Sequence, residues 1–93
     1  MNTGRPEQYT GQVTAGPGGA MTDEVGVIAG HLPLTTSTRP NRRADVRIQY
    51  TGADEWYTLT GNPAPVPPDG LHVLHTRVME AVRHRAQAVV PGE

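Results

Sequence analysis

Residues 45–60 read DVRIQYTGADEWYTLT, two runs of strand-forming residues on either side of Gly52-Ala53-Asp54-Glu55. In the first run Val46, Ile48 and Tyr50 fall on one face, and Arg47, Gln49 and Thr51 on the other. The second run, Trp56–Thr60, is aromatic and β-branched, which suits a pleated, half-buried surface. Folding about a turn over 52–55 sets Thr51 opposite Trp56, Tyr50 opposite Tyr57, Gln49 opposite Thr58 and Ile48 opposite Leu59. That register collects Ile48, Tyr50, Tyr57 and Leu59 on one side. A one-residue slip would divide them between the faces. A hairpin over 45–60 is expected, with one apolar side that needs a cover.

The cover lies downstream. Leu71, Leu74, Val78, Val82 and Val89 share one stripe at helical spacing, flanked by Met79, Ala81 and Ala86. Asp69 after Pro68 reads as an N-cap, Arg83, His84 and Arg85 suit a helix C-terminus, and Pro91-Gly92 is a stop. A helix over about 70–89 is expected. Between hairpin and helix, residues 61–68 carry Pro63, Pro65, Pro67 and Pro68. They read as an extended crossover at roughly 3.1 Å per residue, long enough to pass over a sheet. Docking of Pro65–Pro68 into a proline-binding groove is the sharper alternative.

Upstream the pattern thins. Residues 1–20 hold Gly4, Pro6, Gly11, Gly16, Pro17, Gly18 and Gly19 and read as a flexible arm, with a short strand over Gln8–Thr14 as the alternative. Around 24–30, Val25, Val27 and Ala29 alternate with Gly26, Ile28 and Gly30, which favours a strand ended by Pro33. Thr35–Asn41 reads as a polar loop closed by the turn-forming Arg39-Pro40-Asn41. The expected class is α+β: a small antiparallel sheet containing the 45–60 hairpin, with a C-terminal helix on one face. The expected division is an arm over 1–20 and one small domain over 21–93.

Composition narrows the functions. The chain has 93 residues, 35% hydrophobic, with no Phe, one Trp and three Tyr, so its core is small and aliphatic. Second-copy association is one way for so small a chain to complete a core. Without cysteine there is neither a disulfide framework nor a thiolate metal site. The net charge of −1 gives no overall field toward nucleic acid or anionic lipid. No apolar run resembles a signal peptide or a membrane span, and a cytoplasmic protein is expected.

No catalytic constellation stands out. Ser37 is the only serine and has no nucleophile elbow around it, and the adjacent Asp54 and Glu55 sit at a turn. His72 and His75, with Asp69 three residues earlier, can share a helix face and form the one metal-like feature; a metal-assisted hydrolase there is the enzyme alternative. His75 borders the apolar stripe, where a packed histidine is the plainer reading.

The outward hairpin face is more distinctive, because Trp56 beside Arg47 is the composition of binding hot spots. The reading is a non-enzymatic binding protein without a cofactor. Its contact residues are Arg42, Arg43, Arg47, Trp56 and Thr58, and its partner is another protein or a second copy of the chain. The alternative is a nucleic-acid-binding regulator using the basic run from Arg39 through Arg42 and Arg43 to Arg47, with Trp56 stacking on a base.

Overall fold

The computed structural model describes residues 8–84 and 88–91. In chain order its elements are β1 (Gln8–Thr14), β2 (Ala20–Thr22), β3 (Gly26–Ile28), β4 (His31–Arg39), β5 (Arg43–Ile48), β6 (Tyr57–Thr58), β7 (Ala64–Pro65) and α1 (Leu71–His84). Strands β1, β4, β5 and β6 form an antiparallel sheet in that order, and β7 pairs with β5 alongside. Strands β2 and β3 make a separate two-stranded sheet. The expected α+β class, an antiparallel sheet with a C-terminal helix, is the observed one.

The spine of the sheet is β4, in a region where the sequence suggests a stop at Pro33 and a polar loop over 35–41. Both expectations fail for physical reasons. Pro33 faces the end of β5, where Gln49 N–H donates to Pro33 O at 3.0 Å and the absent proline donor leaves only a strand terminus unpaired. Thr35, Thr36 and Thr38 are β-branched and fit the pleat whatever their polarity. The turn chemistry at Arg39-Pro40-Asn41 is sound. Arg39 pairs with Arg43, and the loop between them puts Asn41 and Arg42 at φ 67° and 59°.

The 45–60 hairpin forms in a different register. Arg47 pairs with Thr58 and Ile48 with Tyr57, two residues away from the expected pairing. A two-residue shift preserves faces, so Ile48, Tyr57 and Leu59 still share a side. Tyr50 does not join them. Strand β5 ends at Ile48, and a turn closes early, with Ala53 N–H donating to Tyr50 O at 3.0 Å and Gly52 at φ 83°. Gly52 at the third turn position, where a positive φ is needed, sets the turn at 50–53 instead of 52–55. Asn62 then extends the pairing with a side chain, its Oδ1 accepting from Val46 N–H at 2.6 Å and its Nδ2 donating to Val46 O at 2.9 Å.

Three further boundaries move. Residues 8–14 of the expected arm are the strand β1, the pairing offered as the alternative, and Val13 and Ala20 lie in the core; residues 1–7 lie outside the described residues. The strand expected near 24–30 is only Gly26–Ile28, off the main sheet, with Ile28 buried and Val25 and Val27 exposed. The helix is described as Leu71–His84, and Ala88 bridges to Ala20 as extended chain. Val89 is accordingly exposed and not part of the helical stripe, while residues 85 and 86 of the helix reading lie outside the described residues. The proline-rich crossover is pinned by β7 and by Val66 N–H donating to Arg42 O at 2.9 Å. Val66 packs on the core, so Pro65–Pro68 is built into the fold and not a free docking segment.

Register assigns the two faces of the sheet. Gly11 and Val13 of β1, Leu32, Leu34 and Thr36 of β4, and Ala44, Val46 and Ile48 of β5 lie on the inner side with Leu59 and Ala64. Leu71, Leu74, Val78, Ala81 and Val82 of α1 cover them. Gln8, Thr10, Gln12, Thr14, His31, Pro33, Thr35, Ser37, Arg43, Asp45, Arg47 and Thr58 take the outer side. The helix crosses directly over Gly11, where an added Cβ would lie 3.0 Å from Met79 Cε.

Candidate binding surface

Trp56 lies in the loop that joins β5 to β6, 37% exposed, and belongs neither to the core nor to the side chains packed on it. Tyr50 stands at the other side of the same loop, 42% exposed. One turn of chain brings a third apolar group to this end. In the loop Asp23-Glu24-Val25, the Glu24 carboxylate accepts from Thr58 N–H at 2.8 Å and from Thr58 Oγ1 at 2.7 Å. Asp23 N–H donates to Thr58 O at 2.9 Å, and Asp23 Oδ1 accepts from Thr60 Oγ1 at 2.8 Å. Val25, 51% exposed, therefore emerges beside the strand that Trp56 leads into.

The same bonds seal the free edge of β6. Both hydrogen-bonding groups of the Thr58 backbone, and its hydroxyl, are occupied by residues 23 and 24. The bonds from Thr58 hold the Glu24 carboxyl below its ordinary pKa of 4.5, with Arg47 adding a smaller attraction. Tyr57 donates its hydroxyl to Glu55 at 3.1 Å, and the Glu55 carboxylate raises the Tyr57 pKa above 10.0. Acidic groups thus rim the exposed apolar end, with Arg47 on the adjoining outer face opposite Thr58.

The contact residues expected from the sequence do not converge. Trp56, Arg47 and Thr58 are neighbours at one end of β5, with the Thr58 groups already engaged by Glu24. Arg42 and Arg43 lie at the other end, in and after the β4–β5 turn, with Arg39 bonded to Asp45 at 3.3 Å. Five residue steps along the strand take Arg43 to Ile48, about 17 Å at roughly 3.3 Å per step. Arg43 therefore shares the outer face with Arg47 and Thr58, but it and Arg42 lie at the far end of β5 from Trp56. A site that holds a nucleic-acid backbone on those arginines while Trp56 stacks on the attached base would have to span that distance.

His72 and His75 both border Tyr9, with ring centroids 6.4 Å and 5.7 Å away. His75 Nδ1 meets Thr36 Oγ1 at 2.9 Å, and burial lowers its pKa below 6.5. It is a packed imidazole with one ring nitrogen engaged. Among the described residues no three His, Asp or Glu side chains converge as a metal site, and Asp69, His72 and His75 form no such group. Among them too, no helix is long and apolar enough to cross a membrane. A shallow cleft of about 290 Å³ lies between Pro65–Pro68 and the helix residues Leu74 and Arg77. Its Val66, Pro67 and Pro68 also border a second shallow cleft that reaches Arg42, and it does not include Trp56.

Sequence reasoning missed Asp23, Glu24, Val25 and Tyr50 as parts of this end. A signal for the first three was present: Thr-Asp-Glu-Val-Gly over 22–26 is a three-residue hairpin loop closed by a glycine at φ 76°. Nothing local says that this loop meets Thr58, 34 residues away. No family model matches the chain, and no curated protein or solved structure gives a significant match to it.

Proposed function

We propose that this protein is a non-enzymatic binding module that engages another protein through the end formed by loop 49–56 and loop 23–25. The observation that carries the reading is that Trp56 and Tyr50 stand exposed on the loop from β5 to β6, that Val25 stands exposed next to the Glu24 that bonds Thr58, and that the other aromatics are half-buried. Exposed aromatic and aliphatic anchors inside a polar rim are the anatomy of a protein-binding patch. The rim here is acidic at Asp23, Glu24 and Glu55, so the fitting partner offers an apolar pocket surrounded by basic side chains. Arg47 supplies one opposite charge to fix orientation.

The experiment is an affinity capture with the wild-type chain, compared with Trp56→Ala and with Arg42→Ala/Arg43→Ala, followed by titration of the purified partner. Capture lost in Trp56→Ala at an unchanged melting temperature, and retained in the arginine variant, supports the reading. Unchanged titration by Trp56→Ala overturns it. Loss in the arginine variant, with affinity falling steeply in salt, would instead favour nucleic acid.

A further inference from the structure

The two edges of the main sheet are treated in opposite ways. At one, β6 is two residues long and Glu24 and Asp23 occupy its outward backbone groups, while Asn62 occupies those of Val46 beyond it. At the other, β1 runs for seven residues and, among the described residues, pairs with β4 alone. Its sequence, QYTGQVT, has no charge, no proline and no bulge, the devices that keep edge strands from pairing with other chains.

The pairing pattern shows which groups are open. Ala15 N–H donates to Gly30 O and Gln49 N–H to Pro33 O, so alternate residues Gly11 and Val13 direct their backbone bonds at β4. The backbone groups of Gln8, Thr10, Gln12 and Thr14 then point outward, and all four residues are exposed.

We propose that β1 is the contact through which two copies of this chain associate, antiparallel about a two-fold axis at Gly11. The occupant is argued from the strand itself. Under that symmetry Thr10 faces Gln12 of the partner, and Gln8 faces Thr14, so every outward-directed residue meets another outward-directed residue. The edge is neutral, so self-pairing sets no like charges opposite one another. The two-fold passes through Gly11, which lets the strands approach without a side chain at the axis. The layer above fits as well. Helix α1 rides over β1 and β4, and strands lie about 4.8 Å apart. Two such helices come to about 10 Å across the axis, the separation of packed helices. Half-buried Met79, seated over Gly11, is then the side chain nearest its own copy. The interface is isologous and closes at two chains.

Light scattering on the eluting wild-type chain is expected to give twice the chain mass. Thr10→Lys with Gln12→Lys puts each lysine opposite a lysine of the partner and is expected to give a monomer with wild-type circular dichroism. Because the chain has no cysteine, a second experiment needs no background removed. Thr10→Cys and Gln12→Cys proteins, oxidised separately and then as a mixture, are expected to yield chiefly the mixed disulfide. A monomeric wild type at millimolar concentration, a lysine variant that stays dimeric, or cross-linking no faster in the mixture than in either protein alone would overturn the proposal.

Discussion

Thr36 is fully buried in the middle of β4, and His75 on the helix is the group that makes its burial tolerable. A hydroxyl in an apolar layer must find a partner, and the reverse holds for the ring nitrogen. Thr36→Val is expected to lower stability by about 1 kcal/mol, the loss of a hydrogen bond to a part-buried ring nitrogen, measured by chemical denaturation. Burial depresses the His75 pKa, so the unfolded chain takes up a proton before the folded one does. Its contribution is complete above pH 6.5 and is lost as pH falls from there through the folded-state pKa. His75→Phe should flatten that part of the stability profile in thermal melts, and a persisting slope would assign it elsewhere. Glu24 acts lower on the scale with the same sign. Its pKa sits below 4.5, so the bonds to Thr58 are present above that value and fail as the carboxylate protonates. Glu24→Gln is expected to remove the slope below pH 4.5 and leave the His75 region unchanged.

Elements differed in how far they could be read from the sequence. The helix was legible through Val82 because Leu71, Leu74, Val78 and Val82 repeat at 3.6 residues and each is buried. Strand β4 was not, because its inner residues Leu32, Leu34 and Thr36 alternate with Pro33, Thr35 and Ser37, and polarity ceases to alternate after Leu34. The partner that admits Thr36 to the core is 39 residues away. The glycines of the expected arm were misread for a related reason, since close approach and flexibility call for the same residue. Gly16 N–H donates to Val82 O at 2.9 Å against the end of α1, where an added Cβ would lie 2.3 Å from Arg83 O. Gly19 combines φ 72° with a Cβ position 2.4 Å from Ile28 O. Gly52 has φ 83° but open space around it. Alanine substitutions should therefore rank Gly19 worst, then Gly16, then Gly52. The last should cost only the left-handed backbone penalty of about 1–2 kcal/mol. Urea midpoints of the three variants check the order.

At the scale of the molecule, one core cluster runs from Val13 of the edge strand to Val90 at the far end of the chain, and it draws on the sheet, the helix and the β2–β3 pair alike. Because sheet and helix share that one cluster, heat should unfold them in a single transition. All of this burial lies on one side. The outer side of the sheet carries threonine, glutamine and arginine side chains with no covering element among the described residues. Adjacent residues of β4 therefore carry very different energies. Leu34 is fully buried against the helix layer, and truncation to alanine opens a cavity worth about 2–5 kcal/mol. A chain of this size has only about 5–14 kcal/mol in total, at roughly 0.05–0.15 kcal/mol per residue, so Leu34→Ala should lower the melting temperature sharply. Thr35, one step along and facing out, is half-buried and donates its hydroxyl to Tyr9 O at 3.3 Å, so alanine there should cost no more than about 1 kcal/mol. The pair separates a one-sided sheet from a two-sided one. If Thr35→Ala proves as damaging as Leu34→Ala, the outer side is covered in solution and the one-sided reading of the sheet falls.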